Sequence, residues 1–335
     1  MHHSESISPR TLMGVQVLGV GSFVPDAVIT NEELARQGFD AQWIEQRTGI
    51  HERHVAPLDM ATSDMATYAA RRCLQSANVQ PDEVDLLIVA TFTSDYLVPA
   101  TACIVQDRLG LRAPAFDLNN GCAGFMFALA TGAQFVATGN FRRVLVIGAD
   151  ITTRVSDPKD IKVFPLFGDG AGAVLLGPGS PQQGLLSYVL GSDGAGAMSL
   201  CRPLGGSRNE LHAEGVARGE HFLQMDGRAV FKWAVRVVED SSRAVLRHAG
   251  LQIDDMDLVV WHQANTRIMD AAAATLEVPR GKLFINLDRH GNTSAASIPI
   301  ALDEAQQAGL IARGNRVLLS GYGAGLAWGT AIMEW

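Results

Sequence analysis

Cysteine is scarce in this chain, with four in 335 residues. Cys73, Cys103, Cys122 and Cys201 are widely spaced and form no CxxC pair. That pattern argues against a zinc site or a disulfide framework, and a reduced, cytoplasmic enzyme is the simplest reading. Positive charge is short as well: 27 Lys and Arg stand against 35 Asp and Glu, a net charge of −8. A nucleic-acid surface needs a clustered basic excess, so no nucleic-acid partner is expected. No uninterrupted apolar run reaches the length of a membrane span, so no membrane role is expected either. The opening "MHHSESISPR" lacks the apolar stretch of a secretory signal. Residues 1–12 are expected to be a flexible tail, with His2 and His3 part of it rather than metal ligands.

Apolar residues, by contrast, make up 47% of the chain. That is ample for a large core, and the length exceeds one small domain. The organisation is an internal repeat. "DEVDLLIVATFTSDY" (82–96) resembles "DDMDLVVWHQANTRI" (254–268), and a helical segment precedes each, 65–79 and 233–251. Downstream, "FDLNNGCAGFMFALATG" parallels "INLDRHGNTSAASIPIALDEAQQ". In both, a predicted strand leads to Asn, a turn of small residues and a helix. An arginine then opens a further strand, "RVLVIG" or "RVLLSG". "FGDGAGAVLLG" and "YGAGLAWGTAIM" close the two halves as strands. The alternation predicts a layered α/β body with an N-terminal half at 13–178 and a C-terminal half at 179–335. The boundary falls in the Gly/Pro-rich "GPGSPQQG" (177–184).

A duplicated α/β body places its site between the halves, at strand ends. Cys122 and Asn292 hold equivalent positions, each opening a helix, and His262 follows the strand "DLVVW". A helix N-terminus favours thiolate over thiol, which makes Cys122 a candidate nucleophile whose own N–H can meet an oxyanion. Each residue also has a plainer reading: Cys122 as a small buried apolar group, His262 as a satisfied core histidine, Asn292 as a helix cap. His290 is read as structural. Together, Cys, His and Asn suggest acyl transfer, with a thiolate attacking a thioester and two neutral N–H donors stabilising an enolate. Arg228, Lys232, Arg236, Arg243 and Arg247 recur at helical spacing, either as a docking stripe or as a solvated face offset by Glu239 and Asp240. The Gly-rich, charged stretch 199–221 is either an active-site cover or a plain surface loop.

These residues carry a family likeness. "WIEQRTGIHERH", "GCAGF", "FGDGAGA", "HQANTRI", "RHGNTSAASIP" and "GYGAGLAWG", in that order and over nearly the whole chain, resemble the β-ketoacyl-acyl-carrier-protein synthase III family of the thiolase superfamily. The resemblance implies a five-layered αβαβα fold, a homodimer, no cofactor and no metal. It further implies a ping-pong decarboxylative Claisen condensation between an acyl primer on Cys122 and a malonyl group on a carrier protein. By that resemblance, His262 and Asn292 bind the malonyl carbonyl, and the N–H groups of Cys122 and Ala324 form the oxyanion hole. Val98, Phe167 and Tyr322 surround the acyl chain. Trp43, Arg47, Lys162 and Arg228 contact coenzyme A or pantetheine, and Lys232 and Arg267 dock the carrier protein. The chain departs from the family at Ile161, where an arginine usually completes the adenine site, and an isoleucine can neither pair with phosphate nor stack as a guanidinium does. Val98 stands where the family often has a phenylalanine that reaches into the partner subunit's acyl pocket, and the smaller residue leaves room, which predicts a primer longer than acetyl. The alternatives are transfer of an acyl group to a non-malonyl acceptor such as an alcohol or amine, and a non-catalytic scaffold subunit.

Overall fold

The computed structural model describes residues 8–335. The first half opens with β1 (Arg10–Met13), β2 (Val15–Phe23), β3 (Val28–Thr30), α1 (Asn31–Arg36), α2 (Ala41–Thr48) and β4 (Glu52–His54). It continues through α3 (Thr62–Ala77), β5 (Leu86–Ala90), α4 (Thr101–Leu109), β6 (Ala115–Leu118), α5 (Gly124–Ala137), β7 (Val144–Ile151) and β8 (Asp169–Pro178). The second half begins with β9 (Gly184–Ser192), β10 (Leu200–Cys201), α6 (Ala213–Ala217), β11 (Gln224–Met225) and α7 (Gly227–Ala249). It ends with β12 (Leu258–Trp261), α8 (Thr266–Leu276), α9 (Leu287–His290), α10 (Ser297–Gln307), β13 (Arg316–Gly323) and β14 (Ala327–Glu334).

Side-chain alternation along the central strands sets the layers. Leu86, Ile88 and Ala90 of β5 face one core, while Leu87 and Val89 face another. A strand apolar on both faces must be covered on both. On one face of the sheet β2-β8-β7-β5-β6 lie α3 and α4, packed through Met65, Ala69, Cys73, Ala102 and Val105. On the other face, α5 and α10 fill the middle layer through Phe125, Leu129, Ile298 and Leu302. The second sheet, β1-β9-β14-β13-β12, closes the middle layer with Val260, Leu319 and Ala331. Its far face carries Val259, Trp261, Leu318 and Ile332 against α7 and α8. The order is therefore αβαβα.

The repeat is visible in the pairings. β5 runs parallel to β7 and β7 antiparallel to β8, as β12 runs parallel to β13 and β13 antiparallel to β14. The two halves differ at their edges. The stretch before Asn286, expected to be a strand like β6, makes a single parallel bridge from Leu283 to Val259. The chain then turns away into α9, because the Asn286 N–H is taken by Gln263 Oε1 at 3.1 Å instead of by a strand neighbour. At the opposite edge the second sheet gains β1, antiparallel to β9, with Arg10 opposite Tyr188. Residues 10–12 are thus strand and not tail: Leu12 packs on the middle core and Thr11 Oγ1 donates to the Leu186 carbonyl. His2 and His3 lie outside the described residues.

Glycines of "FGDGAGA" bring the second half's turn onto β8. A Cβ at Gly168 would sit 2.1 Å from the His290 carbonyl oxygen, and one at Gly172 would sit 2.7 Å from Ile300 N. Only hydrogen side chains permit that approach. It presses the segment 290–300, which carries Asn292, against the strand.

Candidate active site

After β6 the chain passes through Asn119 and Asn120 into a single 3₁₀ turn, Gly121–Ala123, directly ahead of α5. Gly121 adopts φ 51°, a left-handed conformation that side chains disfavour. Cys122 follows it, 8% exposed. The tip of the β13–β14 hairpin leans on this turn. A Cβ at Gly323 would lie 2.8 Å from Cys122 Cβ and 3.3 Å from its Sγ. A Cβ at Gly121 would lie 3.5 Å from Ala324 N. The backbone of Ala324 and the nucleophile turn are therefore neighbours.

The buried carboxylate of Asp150, at the end of β7, braces this region. Its Oδ1 accepts from the N–H groups of Phe92 and Thr93 and the hydroxyls of Thr91 and Thr93. Its Oδ2 accepts from Ala295 N at 3.2 Å, which ties the two halves together. Burial pushes the Cys122 thiol up to about 12, and the nearby Asp150 adds to the rise. The helix end favours the thiolate and loss of solvation opposes it, burial being the larger effect.

His262 follows β12 and is buried. Its N–H donates to the Ser320 carbonyl at 2.8 Å, and its own carbonyl accepts from the Tyr322 hydroxyl at 3.4 Å. The imidazole stands edge-on to the Tyr322 ring, centroids 5.2 Å apart, with Nδ1 2.6 Å from Ser297 Oγ. Nε2 has no hydrogen-bond partner among the described residues. Burial lowers this imidazole to about 3, so it is neutral.

Asn292 lies between α9 and α10, buried, with its backbone clamped by the first half: its N–H donates to Leu166 O and its carbonyl accepts from Gly168 N. Its Oδ1 accepts from Ser294 N at 2.9 Å. Asn292 caps neither helix, since Ala296 holds the N-cap position of α10; its Oδ1 closes a local turn instead, which leaves the amide Nδ2 available as a donor. His290 is bound to Glu304 at 2.6 Å and lies outside the cavity lining. Burial would raise the Glu304 carboxyl, but the His290 hydrogen bond, with Asn286 and Arg289, holds it down to about 2.

Two cavities meet at Cys122. One, of about 100 Å³, is lined by Cys122, His262, Asn292, Tyr322, Phe231 and Asn265 among others. The second, of about 450 Å³, is lined by Cys122, Phe92, Leu200, Leu204, Leu223 and Ala324 among others. Phe167 belongs to both. The three residues singled out from the sequence thus share one cavity, and residues 200–206 of the unassigned loop wall the other. Tyr322, expected at the acyl chain, lines the His–Asn side instead. Val98 touches neither cavity and is 86% exposed beside Leu97 at 91%.

Three of the outer residues, Arg47, Arg228 and Arg267, adjoin residues that line the smaller cavity. Trp43 and Arg47 belong to α2, and Asn265 of the lining donates to the Arg47 carbonyl at 3.0 Å. Arg228 begins α7 next to the lining residue Gly227. Lys162 and Ile161 are both exposed. Arg267 lies over the ring of Phe231, 5.6 Å from its centroid. The basic stripe divides: Arg236 and Arg243 pair with Asp240 and Glu239, while Arg228, Lys232, Arg247 and Arg267 have no ion pair among the described residues. Sequence reasoning missed Ser297, Asp150 and Phe92, whose roles depend on burial and contact.

Comparison with known proteins agrees with this geometry. Family models for 3-oxoacyl-[acyl-carrier-protein] synthase III match residues 116–194, and for its C-terminal part residues 246–335. A β-ketoacyl-[acyl-carrier-protein] synthase III of Rhodopirellula baltica is 53% identical over 342 residues, covering 97% of this chain and 99% of that protein. The crystal structure of a 3-oxoacyl-[acyl-carrier-protein] synthase III from Aquifex aeolicus superposes with a TM-score of 0.89 at 38% identity, covering 96% of this chain and all of the other. That of a β-ketoacyl-[acyl carrier protein] synthase III from Thermus thermophilus gives 0.89 at 42% identity, covering 95% and 98%. No helix among the described residues is long and apolar enough to cross a membrane. By these matches, which run over nearly its whole length, the chain belongs to the β-ketoacyl-[acyl-carrier-protein] synthase III family.

Proposed function

We propose that this enzyme condenses an acyl group held on Cys122 with a malonyl thioester, releasing carbon dioxide and a β-ketoacyl thioester. The observation that carries the proposal is the shared cavity of Cys122, His262 and Asn292, in which the imidazole Nε2 and the amide Nδ2 have no hydrogen-bond partner among the described residues. In the first half-reaction the thiolate, a small fraction at neutral pH, attacks the acyl thioester, and the thiol proton ends on the departing thiol. In the second, the malonyl carboxylate leaves as carbon dioxide and its electron pair passes into an enolate. N–H donors from His262 and Asn292 meet the enolate oxygen. The enolate carbon attacks the acyl carbon, the N–H groups of Cys122 and Ala324 hold the oxyanion, and the expelled Cys122 thiolate regains a proton from solvent. A neutral imidazole suits this task, since a positive ring would give up its proton to the enolate.

The larger cavity, walled by Phe92, Leu200, Leu204 and Leu223, receives the acyl chain, and its size supports a primer longer than acetyl. The mouth near Trp43, Arg47 and Arg228 takes the pantetheine arm. With Ile161 offering no guanidinium and Lys162 beside it, a carrier protein can deliver the primer as well as the malonyl group. Unpaired Lys232 and Arg267 form its docking surface. The exposed apolar run at Tyr96, Leu97 and Val98 supports a homodimer. This run leads into Thr101, whose N–H is held by Asp117 of the edge strand β6. The four unpaired cysteines fit a cytoplasmic enzyme.

The test supplies malonyl-carrier protein and a panel of acyl thioesters, and follows acyl-Cys122 by intact mass and carbon dioxide by release. Acyl-enzyme formation, carbon dioxide and a β-ketoacyl product are expected, with a KM for carrier protein raised by Lys232→Glu and Arg267→Glu. Acyl transfer to an alcohol or amine without carbon dioxide would overturn the condensation in favour of the second reading.

A further inference from the structure

We infer that Ser297 is a positioning residue that holds the proton of His262 on Nε2. The main chain around His262 leaves little freedom. Its N–H is bound to Ser320 O, and its neighbour Gln263 is pinned by three hydrogen bonds, to Trp261 O, from Asn286 N and to Phe284 O. The ring packs edge-on to Tyr322, so what remains to be set is which nitrogen carries the proton. Ser297, the first residue of α10, is buried, and its Oγ is 2.6 Å from Nδ1. The same oxygen accepts the Gln263 N–H at 3.4 Å. A hydroxyl has one proton and two lone pairs. Nδ1 is the one acceptor within reach of the hydroxyl proton among the described residues, and a proton on Nδ1 would leave this buried hydroxyl proton without a partner, so the hydroxyl donates to Nδ1. Nδ1 is then an acceptor, and the imidazole proton stays on Nε2, the nitrogen that faces the cavity.

This matters because a neutral imidazole donates from one nitrogen only, and the other tautomer would turn a lone pair toward the developing enolate oxygen. Misassigned tautomers are costly to catalysis even where the geometry is intact. The inference rests on the decarboxylating role proposed above for His262.

Its test begins with the unaltered full-length enzyme. Ring ¹⁵N–¹H correlation spectra, assigned by comparison with His262→Ala, are expected to show His262 protonated on Nε2 and bare on Nδ1. A proton on Nδ1 overturns the inference and needs no variant. Next, Ser297→Ala is expected to slow carbon dioxide release from malonyl-carrier protein by roughly 10- to 100-fold. Acylation of Cys122, which asks nothing of the enolate donors, should fall far less. Ser297→Thr, which keeps the hydroxyl, should recover most of the release. Equal loss in both half-reactions, or a folded Ser297→Thr no faster than Ser297→Ala, overturns the assignment. Undiminished release by Ser297→Ala does the same while leaving the function standing. Undiminished release by His262→Ala would instead remove the proposed role of His262 itself.

Discussion

The turn at Gly121–Ala123 and the turn at Asn292–Ser294 occupy equivalent places in the two halves, each at the head of a middle-layer helix. They have been put to different uses. The first presents a thiol at the meeting point of two cavities, and burial keeps that thiol protonated. The second spends its side-chain oxygen on its own turn and offers an amide N–H, while the strand end beside it adds a neutral imidazole. The repeat thus sets two helix heads at equivalent points, and the proposed chemistry divides between them: attack and leaving group on one side, polarisation on the other.

That division can be broken experimentally. Cys122→Ala is expected to abolish acyl-enzyme formation and to lower overall condensation by about 10³-fold or more, yet to leave malonyl decarboxylation measurable. Asn292→Ala should do the reverse, lowering carbon dioxide release by about 10²- to 10³-fold while Cys122 still accepts an acyl group. A variant that lost both half-reactions together would show that the two heads act as one unit.

A smaller effect sharpens the contact between the heads and the hairpin. Gly323→Ala puts a methyl 2.8 Å from Cys122 Cβ. Overpacking of this kind costs about 1–3 kcal/mol, read as a lower midpoint in urea, with slower acylation. The pH response is gentler still. Cys122 titrates near 12, so the thiolate fraction, and with it acylation, should climb by up to roughly tenfold per unit between about pH 6.5 and 8.5. His262 titrates near 3, is neutral throughout that window, and should leave decarboxylation flat. Parallel profiles would contradict the separation.

The layers were legible because both halves kept the same succession of buried strand, helix and turn. The three site residues were legible because small residues flank them at equivalent points of the repeat. Other features depended on neighbours distant in sequence. Nothing in "LFINLD" announces that Gln263 would claim the Asn286 N–H and spoil a strand. Ser297 in "TSAASIP" reads as any helix-opening serine until His262 is seen against it. The helix-end argument for a thiolate could not weigh the opposing burial, which only packing reveals. Tyr322 sits at the end of β13, close enough to either cavity that pattern alone could not choose between them.

The short strand at Arg10–Met13 has a consequence for how the molecule is made. Its hydrogen-bonding partner is β9, so Arg10–Met13 must wait for Gly184–Ser192 to be synthesised before they can dock. Once docked, β1 covers the β9 edge of the second sheet, and an uncovered edge invites pairing with other chains. Trimming the chain to start at Val15 would leave β9 as that edge, giving a protein with Cys122, His262 and Asn292 retained and a surface prone to self-association.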